Sequence, residues 1–150
     1  MAPPQTVNPY LRTKVLTATP EELRLMLLDG AIKFARQARE GLAEKNYEKS
    51  FTGFDRCRAI VLELMTSIRP EIDPDLCKKV SGVYTYIFSE LVNASFEKSL
   101  ERCDRAIELL EYERETWVQL MAKLAEERAA GNAARAALEA EERPAVSLQG

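Results

Sequence analysis

The side chains able to do covalent or acid–base chemistry in this chain are 24 Asp and Glu and 3 Cys, and there is no His. Without imidazole there is no His general acid or base, no His-containing triad and no His metal ligand. The Glu-x-x-His pairs of di-metal helical bundles are excluded on the same ground. Cys57, Cys77 and Cys103 are far apart and form no CxxC pair, the pattern of small buried thiols in a reducing cytosol. The carboxylates recur at helical spacing on polar faces, with no cluster inside an apolar stripe, and no Gly-rich phosphate loop is present. Neither an enzyme nor a cofactor is expected. The chemistry left is recognition through apolar surface.

That surface is concentrated in residues 19–33, TPEELRLMLLDGAIK. At about 100° of turn per residue, Leu23, Leu27, Ala31, Phe34, Ala38 and Leu42 line up as one stripe, expected to face the core. Leu25, Leu28 and Ile32 fall on nearly the opposite side. A helix in a small bundle needs one apolar stripe, so a second one calls for a second partner. That partner is a client, another copy of the chain, or this chain's own arm or tail. Asp29, beside Gly30, stands at the edge of the second stripe. It either holds a basic or backbone group of the partner or pairs with Lys33 at i+4. Leu62, Phe88, Val92, Leu109 and Leu120 lie off their own helices' stripes and are secondary candidates for contact, against core or incidental surface positions.

The elements that position these residues read as helices. Thr19, Pro20 and Glu22 form a capping box with Pro at the first helical position, opening helix one to about Glu44. Gly30 is expected to let a neighbouring helix approach closely. Asn46 caps helix two, whose core stripe is Phe54, Cys57, Val61, Leu64, Met65 and Ile68, and Arg69-Pro70 ends it. Asp73 and Pro74 open helix three, with Leu76, Val80, Val83, Tyr84, Ile87 and Leu91 facing one way. Ser95 is the expected cap of helix four, with Leu100, Cys103, Ile107, Leu110, Trp117 and Met121 as its stripe. Short links make sequential helices antiparallel. The fold class is all-α: an antiparallel up-down-up-down four-helix bundle over 19–121, with an N-terminal arm over 1–18 and a tail over 122–150. The arm carries Val7, Tyr10 and Leu11 and one helical turn near Tyr10 to Val15. It is either a frayed end or a lid over the second stripe. In the Ala-rich tail, Gly131-Asn132 is expected to interrupt helix four, and the last seven residues are expected to be disordered.

A net charge of −3, with Lys and Arg mixed among Glu throughout, argues against nucleic acid as a partner. No apolar run approaches the roughly 18 residues that a membrane span needs, so no membrane insertion is expected. The start, MAPPQTVNPY, lacks the charged and apolar regions of a secretory signal.

NPY at 8–10 followed by ATPEELRLMLLDGAIKF at 18–34 resembles the signature of the flagellar export chaperone FliS family. NYEKS at 46–50, IVLELMTSI at 60–68, VYTYIFSELVNAS at 83–95 and LLEYERETW at 109–117 match the same family in order and spacing. Thr13 and Leu28 stand where the family usually has tyrosines, and Thr85 where it has an aspartate. The resemblance implies an antiparallel helical bundle that binds the C-terminal segment of flagellin in the cytoplasm. It also implies that the chaperone prevents polymerisation and presents the segment to an export-gate component (FlhA-like) of the flagellar type III secretion apparatus. The client is expected to arrive disordered and to fold into helical pieces along apolar grooves. The free protein is expected to be a monomer or weak homodimer. The rival reading is a helical adaptor that self-associates through its second stripe.

Overall fold

The computed structural model describes residues 8–67 and 74–142, the side chain of Leu76 excepted. Among these residues there are five helices and no strand: α1 (Pro9–Thr17), α2 (Pro20–Ala43), α3 (Tyr47–Thr66), α4 (Pro74–Glu97) and α5 (Leu100–Glu142). Val7, Ile68, Arg69-Pro70, the Asp73 cap, the Leu76 side chain and the last seven residues lie outside the described residues. The chain divides into two compact units, Met1–Glu115 and Thr116–Gly150.

Local chemistry sets the helix ends. Thr19 Oγ1 accepts from the Glu22 N–H and Glu22 Oε2 accepts from the Thr19 N–H, both at 3.2 Å, which is the capping box read in the sequence. Asn46 Oδ1 accepts from the Lys49 N–H at 3.2 Å and opens α3. Helix four, however, is capped by Ser99, whose Oγ accepts from the Arg102 N–H, and not by Ser95. α4 runs past Ser95 to Glu97, and the chain turns only at Lys98, with φ at 53°. Lys45, at φ 57°, makes the matching turn between α2 and α3. Each left-handed lysine costs about 1–2 kcal/mol. The closing bonds from Asn46 N–H to Gly41 O and from Ser99 N–H to Ala94 O help offset that cost.

The buried positions of α2 are Leu28, Ala31, Ile32, Ala35, Ala38, Gly41 and Leu42. Leu23, Leu27 and Phe34, expected in the core stripe, are only partly covered. The physical reason lies in the spacing. Every step of four residues over-rotates the helix by about 40°, so a stripe built on 23, 27 and 31 winds around it, whereas 28, 35 and 42 drift by only about 20° per step. The other walls of the core are Phe54, Cys57, Val61 and Leu64 of α3, Tyr84, Ile87, Leu91 and Ala94 of α4, and Cys103, Ala106, Ile107 and Leu110 of α5. Met65, Val80 and Val83 are half-buried and Leu100 is exposed, so the expected stripes hold at their centres and are too wide at their edges.

α2 and α3 touch backbone to backbone. A Cβ on Gly41 would lie 2.5 Å from Ser50 N, and one on Gly53 would lie 2.6 Å from Ala38 N and 2.7 Å from Phe34 O. Gly30, expected to be the point of close approach, would meet only the end of the Ile60 side chain, at 3.3 Å. Partners on α3 rise in number as those on α2 fall: Gly41 with Ser50, Ala38 with Gly53, Gly30 with Ile60, Arg24 with Ser67. The α2–α5 ion pairs Arg39–Asp104, Arg36–Glu111 and Asp29–Arg114 run the same way.

In the second unit, α5 continues through Gly131 and Asn132 without the expected interruption. One glycine costs about 1 kcal/mol in a helix, less than breaking and renucleating a segment rich in Ala, Glu and Arg. Trp117, Val118, Met121 and Leu124 are half-buried and Leu120 is exposed. No helix among the described residues is long and apolar enough to cross a membrane.

Candidate binding surface

Leu28 is 0% exposed and Ile32 5% exposed. The expectation that both lie on an unpartnered stripe is therefore corrected: both are buried in the core, Leu28 on the line of Ala35 and Leu42 and Ile32 at its α5 edge. Leu25 is half-buried beside them. Asp29 pairs with Arg114 of α5, across the interhelical boundary and not along its own helix with Lys33. Around it, Ile32, Lys33, Arg36 and Glu111 complete a cleft of about 410 Å³ whose rim is made of two ion pairs. An apolar client has little to bury there. α1 buries none of its residues, and Tyr10 and Leu11 are exposed, so the arm does not cover this stripe.

The flank of α3 that faces α4 is different. Thr85 Oγ1 lies 3.9 Å from Met65 Sδ, and further along the pair Lys98 Nζ stands 4.1 Å from the centre of the Tyr47 ring. Between these tie points, helical spacing brings Phe51, Arg58 and Leu62 of α3 and Phe88, Val92 and Phe96 of α4 to the two lips of one groove. Leu62 is 50% exposed, Phe51 59% and Phe96 88%, Val92 is exposed, and Phe88 is half-buried. From Phe51 to Met65 the α3 wall runs about 21 Å at the helical rise. Three residues singled out in the sequence, Leu62, Phe88 and Val92, thus come together. Phe51 and Phe96 were missed, although Phe96 follows Val92 by one turn and Phe51 precedes Leu62 by three. Leu109 is half-buried on another flank, four residues after Arg105, which donates to Glu90 of α4. Leu120 belongs to the second unit.

Polar ties hold the groove walls in place. Arg24 of α2 donates to Ser67 Oγ at 3.0 Å, to Leu64 O at 3.4 Å and to Tyr84 Oη at 3.3 Å, joining α2 to α3 and α4. Burial pushes the Tyr84 hydroxyl above its ordinary pKa. Burial also pushes the Glu113 carboxyl of α5 up, against the opposing pull of Arg24 and of a hydrogen bond with Tyr84. Glu90, nearly fully buried on α4, accepts from Arg102 at 2.9 Å and from Arg105 at 3.4 Å, which binds α4 to α5. Cys57 and Cys103 are free and buried, their thiols pushed by burial up to about 12, and Cys103 Sγ donates to Ala35 O. These are structural thiols. No group of three or more potential metal ligands occurs among the described residues.

The described residues form an all-helical domain whose polar clusters tie its helices together and whose α3/α4 flank leaves Phe51, Leu62, Val92 and Phe96 exposed. The chain belongs to the FliS family of flagellar proteins, whose model matches residues 3–124. It is 31% identical over 93 residues to the flagellar secretion chaperone FliS of Bacillus subtilis (strain 168), covering 60% of this chain and 68% of that protein. It is 24% identical over 110 residues to the flagellar secretion chaperone FliS of Campylobacter jejuni subsp. jejuni (strain 81116), covering 73% and 86%. The family is one of chaperones, not of enzymes. The matched region stops short of the Ala-rich end of α5.

Proposed function

We propose that this chain is a cytoplasmic export chaperone that holds the C-terminal segment of flagellin in the α3/α4 groove. It thereby prevents polymerisation and presents the segment to an FlhA-like component of the flagellar type III export gate. In this reading α2 to α5 form an antiparallel four-helix bundle over 19–121, with the arm and the tail as appendages. The observation that carries the reading is the exposed apolar lining of one groove: Leu62 and Val92, extended by Phe51 and Phe96. A few isolated exposed apolar residues are ordinary, but a row of them on two facing helices marks a protein-binding site. Covering each of the four is worth on the order of 1–2 kcal/mol, before the cost of ordering the client is subtracted. An occupant that folds as it binds is held firmly but releasably, as export requires. In this reading Tyr10 and Leu11 of the arm close over the seated segment, while Leu25, beside the α2 core stripe, and Leu109, on another flank, lie away from it.

The test is capture of a flagellin C-terminal peptide by the full chain. Leu62→Asp with Val92→Asp is expected to lower capture at least about 10-fold, with the helical melt nearly unchanged. Leu28→Asp is expected to lose fold and capture together, because that side chain has no exposure to begin with. Undiminished capture by the Leu62/Val92 variant would overturn the groove assignment. A tight homodimer by light scattering that is dispersed by the same two changes would favour the self-associating adaptor instead.

A further inference from the structure

Arg58 sits midway along the α3/α4 groove, between Phe51 two turns before it and Leu62 one turn after it, and an apolar site has no evident use for a cation there. Its side chain is only 19% exposed. Its ion pair among the described residues is with Asp55, one turn earlier on α3, at 3.7 Å, and Asp55 is itself mostly in water. That pair is long, and Arg58 donates no hydrogen bond of ordinary length to a described residue. The remaining 19% of its side-chain surface is open to solvent. A helix laid into the groove covers that surface. A guanidinium stripped of solvent without a new acceptor then opposes binding, so an occupant that is apolar throughout is penalised at this one position.

We infer that Arg58 selects the occupant: the groove takes an amphipathic helix of the export substrate that carries a carboxylate facing Arg58. Apolar residues of that helix then flank the carboxylate, roughly one turn to one side and two turns to the other. The planar fork of the guanidinium can hold a carboxylate through two parallel hydrogen bonds, which fixes register as well as affinity. The apolar lips supply most of the contact area, and Arg58 decides which segment of a long disordered chain settles there. This inference rests on the reading of the groove proposed above.

The experiment uses the full chain and the flagellin C-terminal peptide, with each Asp and Glu of the peptide replaced in turn by Asn or Gln. One position is expected to lose about 10-fold or more in affinity for the unaltered chain, the strength of a charge-assisted hydrogen bond. The same replacement is expected to cost nothing further against Arg58→Gln, and Arg58→Lys is expected to recover part of the loss. Equal affinity of Arg58→Gln and the unaltered chain for every peptide would overturn the inference, as would losses that add independently of which arginine variant is used. If Leu62→Asp abolishes capture while Arg58→Gln leaves it intact, the groove stands and its charge selection falls. If the unaltered chain captures no peptide, both fall together.

Discussion

Gly53→Ala is the sharpest test of how α2 and α3 build this domain. Taken alone, the change favours the helix, since alanine exceeds glycine by about 1 kcal/mol in helix propensity. A methyl added at Gly82, in α4, would have nothing within 4 Å of it, so Gly82→Ala is expected to realise that gain. At Gly53 the new carbon falls 2.6 Å from Ala38 N and 2.7 Å from Phe34 O. Those distances lie about 1 Å inside ordinary contact. Both atoms are helix backbone and cannot rotate away, so α2 and α3 must separate, loosening Ala35, Ala38 and Phe54 around the crossing. Overpacking costs about 1–3 kcal/mol, and a clash with immovable backbone puts it in the upper part of that range, about 2–3 kcal/mol, so a net loss of about 1–2 kcal/mol is expected after the propensity gain of about 1 kcal/mol. Urea unfolding followed by far-UV circular dichroism measures both variants on one scale. Gly41→Ala, 2.5 Å from Ser50 N, is expected to behave like Gly53→Ala. The double variant is expected to cost less than the sum, because one separation of the helices relieves both clashes. A Gly53→Ala protein as stable as the unaltered chain would refute the claim that these two glycines set the helix spacing.

The Glu90 cluster has an order of costs. Glu90 is buried while Arg102 and Arg105 keep roughly a third to a half of their exposure, so removing both arginines strands a buried carboxylate and is expected to cost about 3–5 kcal/mol. Glu90→Gln strands only solvent-reaching cations and is expected to cost about 1–2 kcal/mol by the same chemical denaturation. Glu113 supplies a pH dependence. Its folded pKa is raised by burial, so its favourable contribution is complete below the unfolded carboxyl value and is lost as pH rises through the folded one. The unaltered chain is therefore expected to lose stability from this group on going from acidic towards neutral pH. Urea midpoints across that range are expected to show Glu113→Gln falling less steeply, and parallel profiles would sink the assignment. Thiol labelling is expected to find Cys77, which is half-buried, reacting first in the native protein. Cys57 and Cys103 should react only as the fold opens, since burial holds their thiols up at about 12. Rapid labelling of all three would contradict the packing described for them.

What the sequence by itself determined was whatever depends on neighbours within a turn or two. The Thr19–Glu22 capping box, the Asn46 cap and the first residues of α2 and α3 are legible because their hydrogen bonds join residues three positions apart. The family is legible for a related reason, since the TPEELRLMLLDGAIK stretch combines a cap, an apolar run and an Asp-Gly pair in one short window. Tertiary structure decided which apolar face is spent inside. α2 has leucines around most of its circumference, and periodicity alone did not say which line of them would meet α3 and α5. Packing chose the line through Leu28, Ala35 and Leu42, which lies between the flank that meets α3 at Gly41, Ala38 and Gly30 and the flank that pairs with α5 through Asp29, Arg36 and Arg39. The surplus apolar surface therefore appeared elsewhere, between α3 and α4. There, Leu62, Val92 and Phe96 come to border one groove only when the consecutive helices α3 and α4 are laid side by side.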